Sequence, residues 1–347
     1  MSTGIKIPFY RPYYNNKEIK AVTQTLNSGW STSGPKVKEF EKKFAIYIGA
    51  KYCVVVNSCA AAIFLSLKYL STKNKKIKTV YVPSFTYAAT ANEILHAGLK
   101  IKWGDVDKQG LLIKPEQENF DLAIPVHYAG QKADTNYKVP VIEDSAHLIK
   151  KNQCKNNPNL VCFSFYATKN IGMGEGGAVC TNNKKIYNWL VQARSHGITK
   201  DGFDRYHGNW RYDIDFIGWK ANLSDIQASI GLVQLDKFPI MQIKRQNIID
   251  RYNKKFNLNN KGLHLYPILV KNRDEFIRKM NMVGIQTSVH FIPLHWMKAY
   301  KNLTPQKKLS NTDWLGKHVV SLPLYPSLTN QQINYICKMT LKYADFI

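Results

Sequence analysis

Residues 163–177 read FSFYATKNIGMGEGG. The run Val161-Cys162-Phe163-Ser164-Phe165 is short and apolar, the pattern of a buried strand. It leads into Tyr166-Ala167-Thr168-Lys169-Asn170 and then Gly172, Gly174, Gly176 and Gly177. A lysine between a buried strand and a glycine-rich turn puts its amine where the chain can bend closely around a ligand. A partly desolvated amine has a lowered pKa and attacks carbonyl carbon, which is what a Schiff base requires. Taken alone, Lys169 reads more readily as one of 49 Lys and Arg, on a surface loop. Its surroundings reverse that reading.

Upstream, Val139-Pro140-Val141-Ile142 is a second apolar run, ending in Glu143-Asp144-Ser145-Ala146-His147. In an open α/β sheet, ligands bind beyond the carboxyl ends of the strands. Asp144 and Lys169 are therefore expected at one crevice. An aspartate facing a pyridinium nitrogen, with a lysine that makes a Schiff base, is the protein's half of pyridoxal phosphate (PLP) chemistry. By itself Asp144 reads as a helix N-cap after a strand.

Further segments join these two in order: residues 28–62 (from SGWSTSGPKVKEF to VVVNSCAAA), VPSFTYAATANEILHAG (82–98), PVHYAGQKAD (125–134), NLSDIQASIGLVQLDK (222–237), TSVHFIPLH (287–295) and VVSLPLYPSLT (319–329). The series resembles the DegT/DnrJ/EryC1/StrS sugar aminotransferases, a branch of the aspartate-aminotransferase (fold type I) superfamily, over nearly the whole chain. The resemblance implies an α/β fold with a large, mostly parallel sheet domain and a smaller α+β C-terminal domain. It implies PLP as cofactor, Lys169 as the Schiff-base lysine and Asp144 as the pyridinium partner. His147 is then a hydrogen-bond donor to the cofactor's phenolic oxygen, Tyr87 stacks on the ring and Ser164 binds the phosphate.

The turn at Cys59 and Ala60 is implied to offer backbone amides to the same phosphate, an anion site at a helix start. The family usually carries Gly-Thr where this chain has Cys59-Ala60, so a hydroxyl is missing. Lys220 stands where many members place an asparagine that reaches the neighbouring subunit's cofactor phosphate; a lysine can act there as a point charge. That reading makes the protein a homodimer with shared active sites. Trp30, His290 and His295 match segments near the family's active site and are candidate substrate contacts. Each also has a plain structural reading, as do Tyr87 and Lys220.

The activity implied is transfer of an amino group from L-glutamate to a keto carbon of a nucleotide-linked sugar. The segment from Arg194 to Gln227 looks most like members that aminate C4 of 4-keto-6-deoxy sugars, of the viosamine or perosamine synthase kind. A C3 aminotransferase, a PLP-dependent dehydratase and a non-catalytic regulatory homologue are the alternatives. Relatives that dehydrate replace the lysine with histidine, and Lys169 is present.

Composition bounds these readings. The chain has 347 residues, 44% hydrophobic, enough for a large core and about two domains. The net charge is +25, which invites a nucleic-acid reading. The lysines are scattered, however, and no basic-aromatic repeat occurs, so no nucleic-acid partner is expected. A positive field also attracts a doubly charged nucleotide-sugar. The most apolar stretch, Cys53 to Leu67, is interrupted by Asn57 and Ser58 and is too short for a membrane span. The six cysteines show no metal spacing, and neither do His290 and His295, so no metal is expected. A reduced, cytoplasmic setting follows.

Strands and helices alternate from Cys53 to about Ser195, the pattern of a mostly parallel sheet. Residues 197–221 have no clear period and read as a binding loop. A helix is expected over Ser224–Phe238, interrupted by Pro239. The division drawn is 1–239 for a PLP-binding domain with an N-terminal arm and 240–347 for a small domain. The latter is expected to contain strands at Leu263–Val270 and Ile285–Val289 and a last helix over Asn330–Tyr343.

Overall fold

The computed structural model describes residues 6–200, 202–206, 210–303, 305 and 307–347. The strands of the larger part are β1 (Tyr52–Val56), β2 (Thr79–Pro83), β3 (Lys100–Gly104), β4 (Leu122–Ala123), β5 (Ile142–Asp144), β6 (Leu160–Ser164) and β7 (Gly177–Thr181). They form two ladders, β3-β2-β4 and β1-β7-β6-β5. Parallel bridges Ala123–Val141 and Val126–Asp144 join the ladders into one sheet. β7 runs antiparallel to both neighbours and the other pairings are parallel. This is the expected mostly parallel α/β sheet.

Both faces are covered, which is why the strands are apolar without strict alternation. Val54 and Val56 join the core under α3 (Cys59–Lys73), while Cys53 and Val55 join a second core with Phe40, Phe44 and Phe163. α1 (Asn16–Asn27) and α2 (Pro35–Ile48) precede the sheet; α4 (Ala88–His96) and α5 (Lys184–Ala193) complete its flanks. α2 starts at a proline after Gly34, which has no side chain to cap it. The amides of Gly34, Lys36 and Val37 instead donate to the buried Asp225 carboxylate at 2.8–3.0 Å.

Residues 197–221 are not wholly irregular. They contain α6 (Gly202–Tyr206) and a bridge between Ile198 and Ile214; residues 201 and 207–209 of this segment lie outside the described residues. Several of its apolar side chains are open to solvent, Ile217 at 88% and Trp210 at 71%, while Phe216 and Trp219 pack against the core and Ala221 is buried.

Pro239 does not interrupt the next helix. α7 (Asp225–Phe256) runs through it for 32 residues, with Ser224 as N-cap. The proline lies on the exposed side, while Phe238 and Met241 beside it are buried. Burial before and after the proline outweighs the one backbone hydrogen bond it removes. The division expected at residues 239 and 240 thus falls inside one helix.

The last part contains α8 (Arg273–Met282), α9 (Ser310–His318), α10 (Asn330–Tyr343) and an antiparallel pair, β8 (Tyr266–Leu269) with β9 (Val319–Leu322). Its core takes in Ile7 from the N-terminal arm. Ile285–Val289, expected as a strand, does not join a ladder; its pairing is limited to bridges, Ile285 to Ile7 and Ser288 to Ser321. All six cysteines are buried and free. Among the described residues no helix is long and apolar enough to cross a membrane, and no group of His, Cys, Asp and Glu is placed to hold a metal.

Candidate active site

A cavity of about 570 Å³ lies beyond the ends of β5 and β6. Its lining includes Cys59, Ala60, Tyr87, Asp144, His147, Ser164, Lys169 and His290, eight of the eleven residues singled out in the sequence. Parallel pairing sets Asp144 opposite Cys162, so Ser164 ends β6 just beyond it. Glu143 alternates to the far face of β5.

Asp144 is buried and held from two sides. Oδ2 accepts from the Thr90 hydroxyl at 2.7 Å, and Oδ1 from the Ala146 amide at 3.1 Å. Thr90 lies in the first turn of α4 and touches the Thr86 hydroxyl at 3.0 Å.

Lys169 sits on the turn between β6 and β7. Amides of Phe165 and Ala167 donate to the carbonyls of Gly176 and Gly174, both at 2.8 Å, so the turn is a tight extension of the ladder. Gly174 is in the left-handed region at φ +85°, which favours glycine. Ile171 and Met173 are buried and anchor it from below. Tyr10 and Tyr14 of the N-terminal arm donate to the carbonyls of Lys169 and Gly172 at 3.3 and 3.2 Å. Burial pulls the Lys169 ammonium from its ordinary 10.5 to about 8, with the Asp144 carboxylate opposing.

One end of the cavity is an anion site. Ser58 caps α3 by accepting from the Ala61 amide at 3.1 Å. The first amides of the helix, those of Cys59 and Ala60, are of the kind an α-helix cannot satisfy itself. The Ser164 hydroxyl lines the same cavity. Gly177 lets β7 press against this helix start: a Cβ there would lie 2.4 Å from Ser58 C and 2.5 Å from Cys59 N.

Histidines form one wall. His147 is buried; its Nδ1 accepts from the Ala129 amide at 3.3 Å, so its proton is on Nε2. Its ring stacks on Phe291 at 5.7 Å and tilts against His264 at 4.3 Å. Burial, with Lys169 nearby, holds His147 and His264 well below the usual imidazole range and His290 at about 4. Tyr87 is 66% exposed at the cavity mouth, tilted against Phe291.

Three of the singled-out residues lie elsewhere. Trp30 packs edge-on against Phe203 and Tyr206, and its indole donates to the Ser33 carbonyl at 3.0 Å. His295 spends both ring nitrogens inside the chain, on Ser84 Oγ at 2.7 Å and Asp313 Oδ1 at 3.0 Å. Lys220 is exposed and outside its own chain's cavity. Conversely, Thr90, Phe291 and Glu175 line the cavity without having been singled out. Neither Thr90 nor Phe291 carries a sequence signal of its own, since α4 also holds the polar Asn92, Glu93 and His96.

The fit to pyridoxal phosphate follows from the donor set. Amides and a hydroxyl suit a phosphate, a buried carboxylate suits a protonated ring nitrogen, a neutral Nε2–H suits a phenolate, and an amine of lowered pKa suits an aldehyde.

A model for the DegT/DnrJ/EryC1/StrS aminotransferase family matches residues 12–340. The chain is 39% identical to the uncharacterized protein MJ1066 of Methanocaldococcus jannaschii, covering 94% of this chain and 95% of that one. It is 33% identical to the spore coat polysaccharide biosynthesis protein SpsC of Bacillus subtilis, covering 94% of each. Among solved structures it resembles the PLP-form of a sugar aminotransferase, Spr1654 of Streptococcus pneumoniae, with a TM-score of 0.84 at 27% identity, covering 98% of this chain and 100% of that one.

Proposed function

The chain belongs to the DegT/DnrJ/EryC1/StrS aminotransferase family, and from that premise we propose that it moves an amino group from L-glutamate to C4 of a nucleotide-linked 4-keto-6-deoxy sugar. The product is a 4-amino-4,6-dideoxy sugar nucleotide for polysaccharide synthesis. The observation that carries the reading is Lys169, with its lowered amine pKa, in one cavity with a buried Asp144 and an anion site.

When bound, pyridoxal phosphate supplies an aldehyde for the amine and a ring that accepts electrons from the carbon losing its proton. Lys169 supplies that amine and, once free, carries the proton to and from the reacting carbon. With a pKa of about 8, it exchanges a proton readily near neutral pH. Asp144 keeps the ring nitrogen protonated. Thr90 and the Ala146 amide hold the Asp144 carboxylate in place. His147 donates from Nε2 and stays uncharged. The amides of Cys59 and Ala60, with Ser164, hold the phosphate.

Lys220 is proposed to act across a homodimer, on the phosphate of the neighbouring copy's cofactor. Its exposure outside its own chain's cavity supports this. The likeness of residues 194–227 to C4-aminating members supports the position of attack. Likeness to SpsC, a spore coat polysaccharide biosynthesis protein, supports a sugar acceptor. The test is incubation with glutamate and a panel of 4-keto and 3-keto nucleotide sugars, with products identified by mass and NMR. Amination at C4 is expected. Amination at C3 overturns the position, and no amination by cofactor-loaded protein overturns the activity.

A further inference from the structure

Behind the cavity lies a buried polar network that the proposed chemistry does not use. Glu143 is 0% exposed on the far face of β5. Its Oε2 lies 2.8 Å from His127 Nε2, and Oε1 accepts from Asn157 and Asn159 at 2.8 and 2.9 Å. Burial raises such a carboxyl, yet these donors hold it at about 2. His127 Nδ1 accepts from the Ala133 amide at 3.1 Å, so its ring proton is on Nε2 and points at Glu143.

His127 thereby pins the turn that follows it at both ends. Its own amide donates to the Asp144 carbonyl at 3.0 Å, and its ring holds Ala133. Between these points Ala129 sits at φ +56°, a region an alanine does not choose freely. Gly130 follows at φ +95°, and a Cβ there would lie 2.9 Å from Leu263 N. The Ala129 amide, held in this unfavourable conformation, is the donor to His147 Nδ1. The Ala129 carbonyl accepts from the His264 amide at 3.2 Å, and the neighbouring Tyr128 hydroxyl donates to the His290 carbonyl at 2.6 Å.

We infer that Glu143 and His127 are positioning residues that select the tautomer of His147. A fully desolvated carboxylate is costly to bury unless it is well bonded, and this one accepts hydrogen bonds at both oxygens. Its role is to hold the turn so that Ala129 N–H meets Nδ1 and leaves the proton on Nε2, facing the cavity. That this serves a cofactor rests on the function proposed above; the tautomer itself does not.

The test reads the tautomer directly, by ¹⁵N NMR of histidine-labelled protein with and without added PLP, the His147 signals being assigned from their loss in His147→Gln. The wild-type protein is expected to show His147 as a single neutral Nε2–H form. Glu143→Leu should lose that uniqueness and show both neutral forms, while circular dichroism keeps its wild-type shape. His127→Phe removes the same link from the other side and answers the question if Glu143→Leu does not fold. Glu143→Gln, which still accepts from His127, should keep the single form. A folded Glu143→Leu or His127→Phe protein with unchanged His147 signals overturns the inference. Because the signal is read without substrate, failure of the amination assay leaves it standing, and its failure leaves the amination assay standing.

Discussion

The Thr90 hydroxyl donates to Asp144 Oδ2 at 2.7 Å, joining residues 54 apart in the chain. A hydrogen bond to a buried charge is worth about 1.5–3 kcal/mol. Thr90→Val keeps the shape and removes the donor. Turnover should fall about ten- to a hundredfold, with the protein still folded and still binding PLP. Near-wild-type rates in Thr90→Val would show that the carboxylate needs no help from α4.

Lys169 has an amine pKa of about 8 in place of 10.5. In cofactor-free protein its acylation rate should therefore reach half its maximum near pH 8, and at that pH about a hundredfold more of it is neutral than of an ordinary lysine. The unfolded chain holds this proton more tightly between the two values, so the contribution of Lys169 to stability rises with pH across that window. Competitive labelling read by mass spectrometry gives the midpoint, and a value near 10.5 rejects the environment described. Borohydride reduction of the PLP-loaded protein should label Lys169 and no other lysine.

Gly177→Ala tests the close contact of β7 with α3. The added methyl would lie 2.4 Å from Ser58 C and O, so the helix start must move off the cavity. Overpacking of this kind costs about 1–3 kcal/mol. The variant should melt earlier and lose PLP on dialysis, and added phosphate should no longer compete with PLP as it does in wild type.

His147 and His264 are buried and His290 is partly buried, and all three have pKa values pushed below 6.5. The unfolded chain gains protons at these positions as pH falls below about 6.5, and the folded chain does not. Stability should drop as pH falls through this range, and the His290 share is complete by about pH 4. Melting temperatures between pH 7.5 and 4.5 measure the slope. His264→Gln can keep the hydrogen bond to Asn170 while removing a titrating group, and should flatten the slope; an unchanged slope would sink the assignment.

Lys220 gives the test of the shared site. Lys220→Ala should retain PLP about ten- to a hundredfold less well, the worth of a charged contact to phosphate. Mixed Lys169→Ala and Lys220→Ala chains should regain activity on subunit exchange, since one of the two sites in each heterodimer then has both lysines. Continued inactivity despite demonstrated exchange would reject the crossing, as would activity in a monomer.

The sheet and the centre of the site were legible because buried strands end abruptly in polar residues, as at Asp144, Ser164 and Lys169. That signal is local. Thr90 and Phe291 escaped because their neighbours come from distant segments. The same holds for His295: its type and place suggested a substrate contact, and only the fold shows Ser84 and Asp313 closing on it. Pro239 is a different case. Its local cost is real, but the burial of Phe238 and Met241 on one continuous helix outweighs it.

That continuous helix limits how the molecule can move. α7 is about 48 Å long at 1.5 Å per residue. Near its start Leu232, Leu235 and Phe238 are sealed into the core beneath the sheet, and near its end Ile248, Ile249 and Tyr252 into the C-terminal core. Its first residue also grips the α2 amides. The two cores therefore share a beam and have no joint at residue 239. A swing of one against the other would have to bend the beam or tear that grip. Adjustment of the cavity to a bound molecule would therefore have to come from side chains at its mouth or from bending of α7 itself.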